Sequence, residues 1–125
     1  MSARVLIVED EVALIDIFRR ILARARDLTI DAATDGRAGL EKARANAYDV
    51  IFSDLRMPEM DGRAMVHNLR SGDGPNSSTP VVVVTSFCDE GRTAAKELGA
   101  RYVAKPLRRK QVLRVLDEII PPEQR

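Results

Sequence analysis

Val81-Val82-Val83-Val84-Thr85 sets four β-branched apolar residues in a row with no polar alternation. A strand with one wet face alternates apolar and polar. An unbroken run reads instead as a strand buried on both faces, the habit of parallel sheets with helices on either side. Outward from it, Val50-Ile51-Phe52-Ser53, Val5-Leu6-Ile7-Val8 and Tyr102-Val103-Ala104 are further short apolar runs, and Leu28–Ala33 is a more polar run suited to an edge. Each apolar run ends in a functional group: Thr85, Asp54, Glu9-Asp10 and Lys105-Pro106.

Helical spacing fills the intervals. The apolar sets are Leu14, Phe18, Ile21, Leu22 and Ala25, then Leu40, Ala43 and Ala47 after the turn at Asp35-Gly36, then Met65, Val66 and Leu69. A weak helix capped by Asp89 should end near Leu98-Gly99. A final one carries Val112, Leu116, Ile119 and Ile120 before Pro121-Pro122 stops it. Residues 71–80, rich in Gly, Pro, Ser and Asn, read as a loop and as the mobile segment. Strands separated by helices imply right-handed crossovers and an α/β doubly wound parallel sheet. Such sheets bind ligands beyond the carboxyl ends of their strands, where all the functional groups above fall.

The 125 residues suit one domain, and 45% hydrophobic content suffices for one core. We expect a domain over residues 1–120, with 121–125 a tail or the start of a linker. A net charge of +1 and 4% aromatics argue against direct nucleic-acid binding. Cys88 is the single cysteine and has no partner for a disulfide, which fits a reducing compartment. No signal peptide is visible, and the apolar runs fall far short of a membrane span. Together these predict a soluble cytoplasmic protein. His67 reads as a surface residue, and the glycines form no nucleotide-binding loop.

Glu9, Asp10 and Asp54 would repel one another if they met. At about 4 Å and an effective dielectric near 20, each pair costs roughly 4 kcal/mol before screening. A divalent cation removes that cost, and an all-oxygen donor set favours magnesium, with manganese possible. Asp54 is the candidate nucleophile, since a carboxylate can attack phosphorus to give an acyl phosphate. Thr85 and Lys105 would then bind phosphoryl oxygens. Pro106 fixes the turn after Lys105 and could hold a cis bond.

Val8-Glu9-Asp10-Glu11, the segment Ser53-Asp54-Leu55-Arg56-Met57-Pro58-Glu59-Met60-Asp61-Gly62, Val84-Thr85-Ser86 and Tyr102-Val103-Ala104-Lys105-Pro106 resemble, in this order, the receiver domain of two-component response regulators, chemotaxis-Y-like. The resemblance covers essentially the whole chain. It implies a flavodoxin-like (βα)5 fold with strand order 2-1-3-4-5. It implies that Asp54 accepts a phosphoryl group from a phosphohistidine on a sensor histidine kinase or histidine phosphotransfer protein, giving 4-aspartylphosphate in a bacterial phosphorelay. Asp10 and Asp54 would ligate Mg2+ directly, Glu9 through water and Arg56 through its backbone carbonyl. Lys105 would contact the phosphoryl group. Thr85 and Tyr102 would form the switch pair, with an output partner met through helix four, strand five and helix five.

The sequence departs from the family pattern at Ser86, where a smaller residue is usual. Phe87 and Arg56 occupy positions that in the family modulate hydrolysis; a bulky Phe87 and a long Arg56 would shield the acyl phosphate and slow its loss. The path from Thr85 to Lys105 is shorter than usual, and its helix is alanine-rich. The resemblance makes the chain a switch rather than a conventional enzyme, catalysing only its own phosphorylation and dephosphorylation. The rivals are a phosphorylation-independent pseudo-receiver and an aspartate-nucleophile phosphatase. The latter wants a general acid where Arg56 stands.

Overall fold

The computed structural model describes residues 3–122, within which strand and helix alternate five times. The strands are β1 (Ala3–Val8), β2 (Leu28–Ala33), β3 (Val50–Ser53), β4 (Val81–Thr85) and β5 (Arg101–Ala104). The helices are α1 (Val12–Ala25), α2 (Gly36–Ala45), α3 (Gly62–Arg70), α4 (Cys88–Leu98) and α5 (Arg109–Ile119). All strand pairs are parallel, as the sequence pattern predicts, and the order is β2-β1-β3-β4-β5, as the resemblance implies. Pro121 and Pro122 follow α5; the rest of the expected tail lies outside the described residues.

Successive strand side chains point to opposite faces, and the core divides accordingly. Val5, Ile7, Val50, Phe52, Val82, Val84 and Val103 meet Ile15, Phe18 and Leu22 of α1 and Val112, Val115 and Leu116 of α5. Leu6, Val8, Ile51 and Val81 meet Leu40 and Ala43 of α2 and Met65, Val66 and Leu69 of α3. Phe18 and Phe52 stack at 5.2 Å between ring centroids. Truncating such a ring typically costs about 3–5 kcal/mol. By contrast α4 buries only Gly91, Ala94 and Ala95, so the weak apolar face read from its sequence is real.

Asp35 and Asp61 cap α2 and α3, accepting hydrogen bonds from the N–H groups of Ala38 and Ala64 at 2.8 Å. Three local expectations need correction. Ala25 is exposed, because α1 turns its inner face through Ile15, Phe18 and Leu22 and ends at Ala25. Ala47 lies past the end of α2 and is also exposed. Asp89 sits inside the first turn of α4, and Phe87 occupies the cap position with no side-chain cap.

The segment expected to be mobile, residues 71–80, is tied down by a buried amide. Asn76 is 1% exposed. Its Oδ1 accepts from Tyr48 N–H at 2.7 Å and from the Thr79 hydroxyl at 2.9 Å, and its Nδ2 donates to the carbonyls of Ala43 and Asn46. One side chain therefore fastens this loop to the end of α2 and the entry to β3. A composition that favours loops does not reveal such an anchor.

Candidate functional site

Parallel register assembles the site. Val8 pairs with Ser53, and Asp54 N–H donates to the Val8 carbonyl at 3.0 Å, so Glu9 and Asp54 leave adjacent strands at one level. Thr85 pairs with Ala104, and Lys105 N–H donates to the Thr85 carbonyl at 3.1 Å. The strand-end groups picked out by sequence thus converge at one edge of the sheet.

The Asp54 carboxylate is 7% exposed as a residue and held at both oxygens. Its Oδ1 accepts from Leu55 N–H at 2.7 Å, and its Oδ2 accepts from Lys105 Nζ at 2.7 Å. Lys105 Nζ also lies 2.9 Å from Glu9 Oε1 and 4.0 Å from Glu11 Oε1. The Glu9 contact is an ion pair by distance, but Oε1 finds no donor at a hydrogen-bonding angle. Glu9 Oε2 accepts weakly from Glu11 N–H at 3.3 Å. The Lys105–Pro106 peptide is cis.

One carboxylate oxygen each from Glu9, Asp10 and Asp54 come within 4.8 Å of one another. Glu9 and Asp54 are buried while Asp10 is exposed, so the cluster opens to solvent on one side. Three carboxylates face one ammonium, and the most buried of them keeps an oxygen without an aligned donor. This all-oxygen, charge-deficient set fits a small hard divalent cation. The electrostatics agree. Burial pushes the Glu9 carboxyl up from 4.5 to about 7, against the pull of Lys105 and with the charge of Asp54 adding to the rise. Burial alone would lower the Lys105 ammonium, but its hydrogen bond to Asp54 and the nearby Glu9 carboxylate hold it above its ordinary value.

Gly62 serves the same edge. A Cβ there would stand 2.1 Å from the Asp54 carbonyl oxygen, so only glycine lets α3 start this close to β3. In the loop between them Glu59 takes φ 67°, a left-handed conformation that strains a non-glycine residue.

Thr85 and Tyr102 lie in contact. Thr85 is 1% exposed, and its hydroxyl accepts from Phe87 N–H at 3.2 Å. The half-buried Tyr102 hydroxyl donates to the Thr85 carbonyl at 3.4 Å, and burial pushes it up to about 12. Its ring lies against Gly91 of α4, where a Cβ would stand 2.5 Å from Tyr102 Cε1 and 2.7 Å from Thr85 Cγ2.

Arg56 and Phe87 also meet: the guanidinium carbon is 3.8 Å from the Phe87 ring centroid. Arg56 Nε and Nη2 both donate to Glu90 Oε2, at 3.2 and 2.7 Å. Ser86 is exposed beside them. Sequence reasoning missed Glu90 and Gly91. Nothing in the sequence links Glu90 to Arg56, whereas a glycine inside a helix is itself a hint of close packing.

A family model for the response regulator receiver domain matches residues 5–117. The regulatory protein VanRB of Enterococcus faecalis is 30% identical over 96% of this chain and 53% of its own length. Response regulator ArlR of Staphylococcus saprophyticus is 34% identical over 82% of this chain and 46% of its own. A protein-glutamate methylesterase/protein-glutamine glutaminase of Carboxydothermus hydrogenoformans is 38% identical, but over 29% of its length. The chain spans about half, or less, of the length of these curated relatives. Among solved structures, chemotaxis protein CheY4 of Vibrio cholerae matches with a TM-score of 0.85 at 30% identity, covering 96% of this chain and 100% of that one. The receiver domain of sensor histidine kinase PA1611 from Pseudomonas aeruginosa matches with a TM-score of 0.85 at 25% identity, covering 98% and 100%, and carries a magnesium ion in its active site cleft. Among the described residues no helix is long and apolar enough to cross a membrane.

Proposed function

The chain belongs to the family of response regulator receiver domains, and we propose that it is a phosphorylation-controlled switch whose acceptor is Asp54. The observation that carries this reading is the Asp54 carboxylate itself. It is fixed by Leu55 N–H and Lys105 Nζ, each at 2.7 Å, at the edge of a three-carboxylate cluster. A phosphohistidine on a sensor histidine kinase or phosphotransfer protein is the donor. An Asp54 oxygen attacks phosphorus and an O–P bond forms. The N–P bond breaks and its electron pair returns to the imidazole. Lys105 transfers its contact from the Asp54 carboxylate to a phosphoryl oxygen, and the Thr85 hydroxyl turns from Phe87 N–H toward the same group.

Magnesium, or manganese, would be held by Asp10 and Asp54, by Glu9 through water and by the Arg56 carbonyl, and would supply positive charge for the phosphoryl oxygens. Tyr102 follows Thr85, coupling the site to an output face on α4, β5 and α5. Arg56 and Phe87, stacked beside the site, screen the acyl phosphate from water and slow its hydrolysis. The reading takes residues 1–120 as the receiver unit and places it in the cytoplasm, where a phosphohistidine donor would reach it.

Incubation with magnesium and acetyl phosphate, followed by intact mass measurement, tests the acceptor. Wild type should gain one phosphoryl group, and Asp54→Ala should gain none; equal labelling of the two refutes the assignment. Beryllofluoride binding that survives Asp10→Ala undiminished would refute the metal role.

A further inference from the structure

Arg56 stands two residues beyond Asp54, in the loop leaving β3, and its guanidinium is held by the first turn of α4. Both of its bonds to Glu90 fall on a single oxygen, Oε2. They do not form the matched two-oxygen fork that makes arginine–carboxylate pairs strong. The Arg56 side chain is 60% exposed and that of Glu90 32%, so the pair is wet and easily exchanged. Arg56 nonetheless stands close to the acceptor in the chain, two residues beyond Asp54, and stacks on Phe87, whose N–H holds the Thr85 hydroxyl.

Charge counting says what happens at Asp54. Glu9, Asp10 and Asp54 bring three negative charges, and Lys105 brings one positive. A divalent cation would bring that set to balance. Phosphorylation replaces the single charge of the Asp54 carboxylate by a phosphoryl group carrying about two. The site is then short of about one positive charge.

We infer that Arg56 supplies it, leaving Glu90 for the phosphoryl oxygens, so that Glu90 is a positioning residue that competes with phosphorylation. This rests on the reading of Asp54 as the acceptor. A phosphoryl group offers more charge than one carboxylate and a better match to a planar guanidinium. When Arg56 moves, the first turn of α4 loses its tie to the β3–α3 loop. Two turns further on, Arg63 still holds Glu97. With only Gly91, Ala94 and Ala95 buried, the first turn of α4 is held otherwise by the contact of Gly91 with Tyr102 and Thr85. Asp54 thereby acquires a path to α4 separate from Thr85 and Tyr102.

Linkage makes the competition reciprocal: whatever weakens Glu90's hold on Arg56 strengthens binding at Asp54. The test is titration of beryllofluoride, a phosphoryl mimic, in magnesium, read by fluorine NMR. The proteins are wild type, Glu90→Gln, Arg56→Met and the double variant. Glu90→Gln should tighten binding roughly threefold, the scale of an exposed ion pair. Arg56→Met should loosen it, and Glu90→Gln should add nothing in the Arg56→Met background. An unchanged or weakened affinity for Glu90→Gln overturns the inference, as does an equal gain in both backgrounds. A wild type that fails to bind beryllofluoride sinks the Asp54 reading and this inference together, whereas the other adverse results sink the inference alone.

Discussion

Glu9→Gln should make the metal-free protein more stable, and the size of the gain follows from the pocket. Glu9 is 1% exposed and shares one ammonium with Asp54. Burial raises its carboxyl from 4.5 to about 7. At 1.36 kcal/mol for each tenfold change in proton affinity, ionising Glu9 in the fold costs about 3 kcal/mol relative to the unfolded chain. The sign is that of a raised group: its contribution to stability is intact below about pH 4.5 and is lost as pH rises through about 7. Glutamine has nothing to ionise. The variant's advantage should therefore be near zero at about pH 4.5 and approach 2–3 kcal/mol, as an order of magnitude, near pH 8. Lys105 keeps its 2.7 Å bond to Asp54, so no buried charge is left without a partner. Urea unfolding in chelator, repeated across this pH range, measures the difference. Saturating magnesium should reverse it, because a cation favours the ionised wild-type site. A variant no more stable than wild type near pH 8, or a gap that does not close toward pH 4.5, would refute the reasoning.

Asn76→Ala removes four hydrogen-bond partners from a buried site. At roughly 1 kcal/mol for each bond lost, with some groups regaining water, it should cost about 3 kcal/mol and lower Tm by roughly 10 °C; a loss under about 1 kcal/mol would show the anchor to be idle. Gly91→Ala puts a methyl 2.5 Å from the Tyr102 ring. Overpacking of about 1–3 kcal/mol should exceed the roughly 1 kcal/mol of helix propensity gained, and the ring should swing out. Tyr102→Ala should relieve only part of the loss in Gly91→Ala, because the buried Thr85 Cγ2 would still stand 2.7 Å from the new methyl. Tyrosine ring NMR signals that do not move in Gly91→Ala would count against the contact.

The strand ends were legible because two short-range rules do most of the placing. Unbroken apolar runs mark strands buried on both faces, and parallel register carries their final residues to one edge. Glu9, Asp54 and Thr85 needed nothing more, whereas Lys105 follows the edge strand β5, in which only Val103 is fully buried. What escaped depended on distance or on a single rotation. Arg56 and Glu90 are 34 residues apart and belong to different elements, and no local pattern joins them. Ala25 and Ala47 fit an apolar spacing but carry too little side chain to decide which way a helix end faces. Asn76 sits in a stretch whose composition signals a loop, yet its amide is better satisfied inside than in water. Asp89 has the right chemistry for a cap and stands two residues too late, because Phe87 already occupies that position.

The charge deficit and the loose seating of α4 belong to one design. Among the described residues Lys105 is the one cation paired with Glu9, Asp54 and, at 4.0 Å, Glu11, so an added anion there draws on positive charge from elsewhere. The helix beside the site is attached by the small residues Gly91, Ala94 and Ala95, by the half-buried Leu98 at its far end, and by two arginine–glutamate pairs, Arg56–Glu90 and Arg63–Glu97. The partners are seven residues apart along the chain on both sides. Had the first turn of α4 been seated with leucines, as its last turn is by Leu98, moving it would demand the full cost of re-exposing apolar surface, about 25 cal/mol per Å². Exposed ion pairs contribute far less and can be exchanged one for another. On the inference drawn above, a first turn held in this way would respond to a change of charge at Asp54 that a well-packed one would ignore.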